Sequence, residues 1–305
     1  MKNKTKIFFS VLIVLYYSPL DIIKSNITRI NYKNIEYVLI DNSVDVEYYN
    51  TVKKWINEDI PKFRSNKIKL LKSRKNLGYS GGNNLGFTIS EGDYILILNP
   101  DMELDDDFFL KAERIIKEKQ WEIISPKIYD SFESKKLVSG LITFRKSSLT
   151  FLGKKLNYNK EDKNVSKCYN TFYAHGGCIL IERSVFEELN GFDENFFMYV
   201  EEVDLCYRAK KKNYKVIYCP LLKSAHKKQK DSIFAHKMML ENEIYFIAKH
   251  FSFLLLLLKF FFSFIRFLII IIDLQERKIQ YKAIKILFYS ILRGLNRSIN
   301  LRFKN

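Results

Sequence analysis

The sequence predicts an α/β protein whose central sheet is mostly parallel and flanked by helices, with a Rossmann-like half. Three apolar runs predict this fold, at residues 7–15, 35–40 and 94–98. Each run is continuous rather than alternating, which is typical of strands buried on both faces of a parallel sheet. The first two runs are far enough apart for a crossover helix between them, so they predict a βαβ unit.

The amino-terminal segment has two interpretations. Lys2, Lys4 and Lys6 precede an apolar run, as at the start of a signal peptide. However, no small-residue cleavage site follows, and Pro19 comes almost directly after the run. We therefore predict a buried first strand that leads into a helix from about Pro19 to Arg29.

The remaining elements are predicted from the same kind of pattern. We expect helices at residues 45–57, 105–119, 184–189 and 201–212, and strands at residues 67–71 and 178–181. Residues 121–174 contain short strand-like runs with turns and no clear chemistry. We interpret this middle segment as an excursion from the parallel sheet.

The third apolar run ends in Asn99-Pro100-Asp101. Pro100 cannot extend a strand ladder, so Asp101 lies just past the carboxyl end of a strand, where open α/β sheets bind their ligands. A carboxylate there suits a hard cation such as Mg²⁺ that also grips a diphosphate. The alternative is a helix-capping Asp, although Asp105 and Asp107 are available for that task.

Residues 76–86 form a glycine-rich segment that enters a helix. Their spacing is not that of the dinucleotide-binding G-x-G-x-x-G pattern. Backbone N–H groups and Asn amides in such a segment can still approach a nucleotide closely. A tight turn with a glycine-rich helix start is the alternative, and glycines alone do not exclude it.

Three carboxylates, Glu201, Glu202 and Asp204, lie among aromatic residues at the start of a predicted helix. Unpaired buried charges are costly, so their presence needs a reason. Interaction with the helix dipole explains about one of them. The functional interpretation is a general base that is held ready near neutral pH.

Composition limits the class of protein and its compartment. Hydrophobic residues make up 47% of the 305 residues, which is enough for a substantial core. The cysteines are Cys168, Cys178, Cys206 and Cys219, and they form no C-x-x-C pair. They predict reduced, buried side chains of a cytosolic protein, without a disulfide framework or a zinc site.

Positive charge is concentrated toward the carboxyl terminus. Residues 205–305 contain 21 Lys and Arg against 5 Asp and Glu, whereas the charges of residues 1–204 nearly cancel. A basic and apolar tail indicates an anionic membrane surface. Nucleic acid is not predicted as a partner, because no recognisable nucleic-acid-binding module is present.

The tail combines an apolar run with a basic amphipathic pattern. Residues 251–272 are long enough to span a bilayer, but Lys259 and Arg266 interrupt them, at about 2.5–3.5 kcal/mol each near mid-bilayer. These two side chains share one helical face and could snorkel toward headgroups. An apolar stripe follows at Ile284, Leu287, Phe288, Ile291, Leu295 and Ile299, beside Lys278, Lys282, Lys285, Arg293 and Arg297.

We therefore predict a first domain over residues 1–230 and a helical, basic, membrane-associated region over residues 231–305. The amphipathic pattern favours a helix that lies in the membrane plane over one that spans it. A helical hairpin packed on the first domain or on a second subunit is the alternative.

Four segments together resemble glycosyltransferase family 2, whose members are inverting enzymes of the GT-A fold that use nucleotide-sugar donors. They are Asp41-Asn42-Ser43, residues 76–86, Asn99-Pro100-Asp101 and residues 191–208, in the family's order within about residues 6–230. The rhamnosyltransferase-like branch is the most similar. The resemblance implies transfer from a nucleotide-diphosphate sugar, with dTDP-rhamnose as one candidate, to a hydroxyl of a cell-surface polysaccharide or a lipid-linked glycan. It implies work at the cytoplasmic face of the cell membrane.

The resemblance also implies roles for individual residues. Asp41 would contact the nucleotide base, and the rest of the donor pocket would involve Asn76, Gly78, Asn83 and Asn99. Gly176 and Gly177 would leave room for donor and acceptor.

The metal and the base follow from the same resemblance. Asp101 would hold Mg²⁺ or Mn²⁺ together with His226, although His226 could instead be a surface residue of a basic run. Glu202 would be the catalytic base and Glu201 the first member of the acidic pair.

This sequence departs from the family at two places. Leu15-Tyr16-Tyr17 stands where the family commonly has T-Y-N, and Glu202 stands where it usually has Asp. A non-catalytic or altered membrane-bound homologue is therefore one alternative. A nucleotidyltransferase is another, but residues 16–19 lack the basic phosphate-gripping motif expected after its first strand.

Overall fold

The computed structural model describes residues 6–61, 67–119, 121–139, 167–226 and 233–251, with residues 261, 289, 292–297, 299 and 301 of the tail. In chain order the strands are β1 Phe9–Leu15, β2 Ile35–Asp41, β3 Ile68–Lys72, β4 Tyr94–Leu98, β5 Met102–Leu104, β6 Ile123–Tyr129, β7 Leu137–Ser139, β8 Tyr169–Asn170, β9 Cys178–Glu182 and β10 Val216–His226. The helices are α1 Asp21–Arg29, α2 Val46–Glu58, α3 Gly78–Phe87, α4 Phe108–Glu118, α5 Arg183–Glu188, α6 Glu201–Lys211 and α7 Ile233–His250.

Within these described ranges the strands form one ten-stranded sheet, in the order β3-β2-β1-β4-β9-β6-β10-β5, with β7 beside β6 and β8 beside β10. The four strands β3, β2, β1 and β4 are parallel to one another. This half of the sheet confirms the predicted parallel α/β core and brings the carboxyl ends of four strands to one edge.

The central position of β1 explains its continuous apolar sequence. All seven of its residues are buried. Phe9, Val11 and Ile13 belong to a core cluster with residues of α1, α2 and α4, whereas Leu12 and Val14 belong to the second core cluster, in which Val14 lies against Gly82 of α3. The prediction of a buried strand in this segment is therefore confirmed.

The other half of the sheet is mixed, and one prediction for it is wrong. β9 is antiparallel to both β4 and β6, while β6 is parallel to β10. β6 lies inside the sheet, with Ile123 and Ile124 fully buried, so residues 123–129 are not an excursion from it. The partners of β6 are distant in sequence, and its local pattern is interrupted by Pro126. Residues 140–166 of the predicted excursion lie outside the described residues.

The longest strand, β10, was not predicted from the sequence. It contains Pro220, which argues against a regular central strand. The structure accommodates this residue where the pairing with β6 shifts register, between Cys219 and Lys223. Beyond the shift, β10 pairs with β5 in antiparallel register, which brings His226 opposite Met102.

The prediction that all cysteines are reduced is wrong for one pair. Cys168 and Cys219 form a disulfide across 51 residues of sequence. The physical reason is the β8–β10 pairing, which places Tyr169 opposite Tyr218 and therefore brings the adjacent cysteines together. Cys178 and Cys206 are free and buried, as predicted.

The chain divides into two compact units. The first contains the whole sheet and helices α1–α6, and the second contains residues 198–200, α7 and the described residues of the tail. Among the residues that the structure describes, none of the helices combines the length and the apolar content needed to cross a membrane. Most of the predicted apolar segment at residues 251–272 lies outside the described residues, as do Lys278, Lys282 and Lys285.

Candidate active site

The predicted metal ligands Asp101 and His226 are in direct contact. Nε2 of His226 lies 3.1 Å from Oδ2 of Asp101, and each side chain is about a fifth to a quarter exposed, at 19% and 25% respectively. The contact depends on the β5–β10 pairing, since β5 begins immediately after Asp101 and β10 ends at His226. The two side chains of this pair are therefore 125 positions apart in the sequence.

The buried side chain of Asn26 fixes the strand that follows Asp101. Its Nδ2 donates to the carbonyl of Met102 at 2.8 Å, and its Oδ1 accepts from the N–H of Leu104 at 3.0 Å. One side chain of α1 thus bonds to the backbone of both end residues of β5. The loop at residues 99–101 is held by this clamp at its end and by the N–H of Asn99, which donates to the carbonyl of Gly177 at 2.9 Å.

Asp41 lies at the carboxyl end of β2, and only one of its two carboxylate oxygens is hydrogen-bonded within the described residues. Its Oδ1 accepts from the N–H of Ser43 at 2.9 Å and from the hydroxyl of Ser43 at 2.6 Å. Its Oδ2 is buried and has no hydrogen-bond partner among the described residues. Buried acceptors are nearly always satisfied, so this atom is a natural place for a donor group of a ligand.

Two aromatic side chains lie beside Asp41, at the position where the sequence departs from T-Y-N. Tyr16 and Tyr17 follow β1, whose last residue pairs with Asp41, and they are 56% and 54% exposed. The ring of Tyr17 lies 5.2 Å from that of Tyr48 on α2. These exposed rings at the edge of the sheet can stack against a flat ring.

Asn42 organises the start of the glycine-rich helix. Its Nδ2 donates to Oδ1 of Asn76 at 3.0 Å and to the carbonyl of Gly78 at 2.9 Å. Oδ1 of Asn76 also accepts from the N–H of Gly78 at 2.9 Å. Asn76 therefore lies in the predicted glycine-rich segment, and its side chain accepts a hydrogen bond from Gly78, the first residue of α3.

Gly78 and Asn83 are both buried within this segment. Gly78 has φ of +69°, and a methyl group on it would lie 2.2 Å from the carbonyl oxygen of Phe197, so only glycine fits. Nδ2 of Asn83 donates to the carbonyl of Tyr79 at 2.9 Å, while its Oδ1 is buried without a partner among the described residues. α3 is thus packed against the segment that leads to Glu201.

Gly176 and Gly177, which follow β8, lie close both to the Asn99–Asp101 loop and to Glu202 of the acidic pair. A methyl group on Gly177 would lie 3.3 Å from Nδ2 of Asn99, and one on Gly176 would lie 3.3 Å from Cδ of Glu202. The hydroxyl of Tyr79 donates to the carbonyl of Gly176 at 2.7 Å and fixes this dipeptide. The Glu202 carboxyl group and the Asn99–Asp101 loop therefore flank the same two glycines.

The three carboxylates at the start of α6 have different surroundings. Asp204 is fully buried and pairs with Nε of Arg208 at 2.7 Å, so it is a structural residue. Glu201 is 4% exposed, whereas Glu202 is half-buried against Gly176. Burial, together with the neighbouring Glu202 carboxylate, raises the pKa of Glu201 well above its ordinary value.

One residue of the site, His175, was not predicted. Its Nδ1 accepts from the N–H of Gly177 at 3.1 Å, and its ring lies 6.2 Å from the ring of His226 at an angle of 72°. Burial, reinforced by the charge of His226, lowers its pKa to about 4, so the ring is neutral at neutral pH. Its place directly before the two glycines was the available signal in the sequence.

The raised pKa of Glu201 predicts how the stability depends on pH. Stability contributed by this carboxyl group is complete below its unfolded pKa near 4.5 and is lost as the pH rises toward the folded value. Glu201→Gln removes this loss, so the variant should gain stability relative to the original protein as the pH rises above 4.5, by up to about 1.4 kcal/mol for each pH unit until the folded pKa is reached. Urea unfolding at several pH values measures the difference. The exposed Glu118→Gln on α4 is the control, and an equal pH dependence in both variants would contradict the assignment.

Comparisons with known proteins agree with this geometry. The family described as Glycosyl transferase family 2 matches residues 10–190. A low-salt glycan biosynthesis hexosyltransferase, Agl10 of Haloferax volcanii, is 32% identical over 73% of this chain and 68% of its own length. Rhamnosyltransferase WbbL of Escherichia coli K12 is 28% identical over 45% of this chain and 53% of its own length.

A solved structure gives the same fold. The crystal structure of GalNAc-T7 with UDP, GalNAc and Mn²⁺ superposes with a TM-score of 0.62 at 18% identity, over 80% of this chain and 48% of that chain. The present chain thus spans about half the length of WbbL and of GalNAc-T7. At this identity the likeness shows the fold alone.

The α/β sheet, mostly parallel and flanked by helices, places the protein in the GT-A-like fold class. The family match covers more than half of the chain, and the chain belongs to glycosyl transferase family 2. It is a glycosyltransferase, as the resemblance of its four motifs implied.

Proposed function

We propose that this protein transfers a sugar, with inversion, from a nucleotide-diphosphate sugar to a hydroxyl group of a cell-surface polysaccharide or a lipid-linked glycan. One observation carries the proposal: the Gly176–Gly177 dipeptide lies against both Glu202 and the Asn99–Asp101 loop. A sugar seated on two residues without side chains would have a diphosphate-binding carboxylate on one side and a base on the other. The rhamnosyltransferase among the relatives makes dTDP-rhamnose a candidate donor.

The nucleotide is proposed to bind at the edge formed by β1 and β2. The unpaired Oδ2 of Asp41 can accept an N–H of the base, and the ring of Tyr17 offers it a stacking surface. The unpaired Oδ1 of Asn83, on the glycine-rich helix α3, is a further buried acceptor. Uracil and thymine both carry a ring N–H that Asp41 could bind.

A divalent cation fits the Asp101–His226 pair, provided that the donor supplies further ligands. Within the described ranges, no cluster of three or more His, Cys, Asp or Glu side chains could hold a metal by itself. A cation such as Mg²⁺ is commonly held by one or two protein groups together with substrate phosphates and water. Asp101 and His226 would therefore hold Mg²⁺ or Mn²⁺ with the donor diphosphate, and the ion would neutralise charge on the leaving group.

Glu202 is proposed as the general base. It would accept the proton of the acceptor hydroxyl while that oxygen attacks the anomeric carbon from the face opposite to the diphosphate. The bond from the anomeric carbon to the diphosphate oxygen then breaks, so no covalent intermediate with the protein is needed. Burial and the neighbouring Glu202 carboxylate raise the pKa of Glu201, so Glu201 is the less suited of the two to accept a proton.

The experiment that tests the proposal is a donor panel. The purified protein would be incubated with UDP-, GDP- and dTDP-sugars and with Mg²⁺ or Mn²⁺, and release of nucleotide diphosphate would be measured. Release of nucleotide diphosphate from the sugars of one nucleotide supports a glycosyltransferase that uses that donor. Binding of donors without release would favour a non-catalytic homologue, and pyrophosphate release from a nucleoside triphosphate and a sugar phosphate would favour a nucleotidyltransferase.

We also propose that the tail attaches the protein to the cytoplasmic face of the cell membrane. The supporting observation is that residues 205–305 contain 21 basic residues and only 5 acidic ones. Of the predicted amphipathic helix, residues 292–297 are helical, and Leu292 and Ile299 are exposed at 42% and 48%. Such apolar side chains beside basic ones suit an anionic bilayer surface.

Charge removal tests this attachment without deleting the tail. Changing Lys278, Lys282 and Lys285 together to Gln should weaken sedimentation with anionic liposomes by about 10²-fold, since each basic residue near such a surface contributes about 1 kcal/mol. A matched triple variant of exposed lysines in the first unit, at Lys53, Lys54 and Lys117, should sediment as the original protein does. Equal losses in both variants would mean that net charge, rather than the tail, governs binding.

A further inference from the structure

The two residues directly before the acidic pair have an unusual backbone. Tyr199 and Val200 have φ of +69° and +74°, in the left-handed region. A β-branched residue such as valine is a true outlier there. Such conformations persist only where surrounding contacts fix them, and they concentrate at functional sites. Val200 is followed immediately by Glu201, the first residue of α6.

The side chain of Asn242 supplies the contacts that fix this turn. Asn242 lies on α7 and is fully buried. Its Nδ2 donates to the carbonyl of Met198 at 2.8 Å and to the carbonyl of Tyr199 at 2.9 Å. One amide group therefore satisfies two successive carbonyls of the strained turn, and it uses both of its N–H bonds to do so.

Arg297 determines which way the Asn242 amide faces. Its Nη1 donates to Oδ1 of Asn242 at 2.9 Å, and its guanidinium lies 4.6 Å from the centre of the Tyr245 ring. A guanidinium can only donate, so the oxygen of Asn242 must face Arg297 and its NH₂ group must face the turn. Stacking on Tyr245 holds the guanidinium in place. These residues all belong to the second unit.

We propose that Asn242, oriented by Arg297, is a positioning residue for catalysis. It fixes the left-handed turn at residues 198–200, and this turn sets where α6 begins and which way its first carboxylates point. The carboxyl-terminal region therefore completes the geometry of the acidic pair through the chain itself, in addition to any role at a membrane. The catalytic part of this inference rests on the proposed function, whereas the structural part does not.

Asn242→Asp is the sharpest variant, because it is isosteric and keeps the acceptor for Arg297 while removing both donors. We expect kcat for sugar transfer to fall by about 10²-fold, as for a misplaced catalytic group, with the KM for the donor unchanged. Hydrogen exchange of the peptide covering residues 198–205 should become faster. Arg297→Lys should shift both readouts in the same direction to a smaller extent. Met239→Gln, an exposed change on the same helix, should shift neither.

The outcomes separate this inference from the proposed function. Faster exchange confined to residues 198–205, in a protein that transfers no sugar from any donor, would retain the positioning and overturn the function. Lower thermal stability with unchanged kcat and unchanged exchange would overturn the positioning. So would a raised donor KM with kcat preserved. If Asn242→Asp does not fold, Arg297→Lys carries the same test, with nucleotide-diphosphate binding as the check of folding.

Discussion

Glu202→Gln is expected to lower kcat by about 10²-fold or more, while the affinity for the nucleotide-sugar donor stays nearly the same. The physical reason is that a general base acts only in the transition state, and glutamine cannot accept the proton. The Glu202 carboxyl group lies against Gly176 rather than at the edge formed by β1 and β2, where the nucleotide is proposed to bind. The change should therefore not disturb binding of the nucleotide. Steady-state transfer rates and isothermal titration with the nucleotide diphosphate measure the two effects separately.

Three variants make this test specific. Glu201→Gln should retain most turnover, because Glu201 is buried, its pKa is raised, and it is Glu202 that lies against Gly176. Asp204→Asn should reduce stability, since it breaks the buried pair with Arg208. Glu202→Asp restores the residue that the family usually has at this position. A slower Asp variant would mean that the pocket is shaped around the longer side chain. Full turnover in Glu202→Gln with loss in Glu201→Gln would identify Glu201 as the base instead.

Asp101→Ala is expected to abolish the metal-dependent part of donor binding, with a loss of affinity of about 10²-fold or more for the nucleotide diphosphate in Mn²⁺ or Mg²⁺. Changes in groups that merely orient metal ligands already cost about 10–100-fold, and a direct ligand should cost at least as much. Folding should be nearly intact, because Asp101 lies at a partly exposed edge of the sheet. Calorimetric titration with and without chelator measures the effect.

Two further variants check the assignment. His226→Ala should weaken metal-dependent binding in the same direction, since its imidazole contacts Asp101. Asp106→Asn changes an exposed carboxylate in the same part of the chain, which pairs with Arg29, and it should leave binding unchanged. If the chelator makes no difference to nucleotide binding by the original protein, the metal role of Asp101 is wrong.

The sequence predicted the parallel half of the sheet because its signal is local. Buried strands such as β4 are continuous apolar runs, and the polar residues that follow them, Asp41 and Asp101, mark their carboxyl ends. In parallel strands these ends share one edge, so a candidate ligand site at that edge could be predicted without any knowledge of long-range contacts. The motifs then identified the same family that the comparisons show.

The mixed half of the sheet could not be derived in the same way. β6 and β10 each contain a proline, at Pro126 and Pro220, which weakens the local strand signal. Their places depend on pairing with strands far away in the sequence. The disulfide between Cys168 and Cys219 follows from one of these pairings, so the spacing of the cysteines gave no indication of it.

The sequence by itself determined the fold class and the family and proposed most residues of the candidate site, because apolar continuity, strand-ending carboxylates and motif order are local features of the sequence. Tertiary structure alone decided how those residues are used. It brought His226 to Asp101 through the β5–β10 pairing, and it buried Glu201 while turning Glu202 toward Gly176. Which of two adjacent carboxylates lies against Gly176 depends on how α6 packs in the fold, because Glu201 and Glu202 differ by one position in the sequence but point in different directions on a helix.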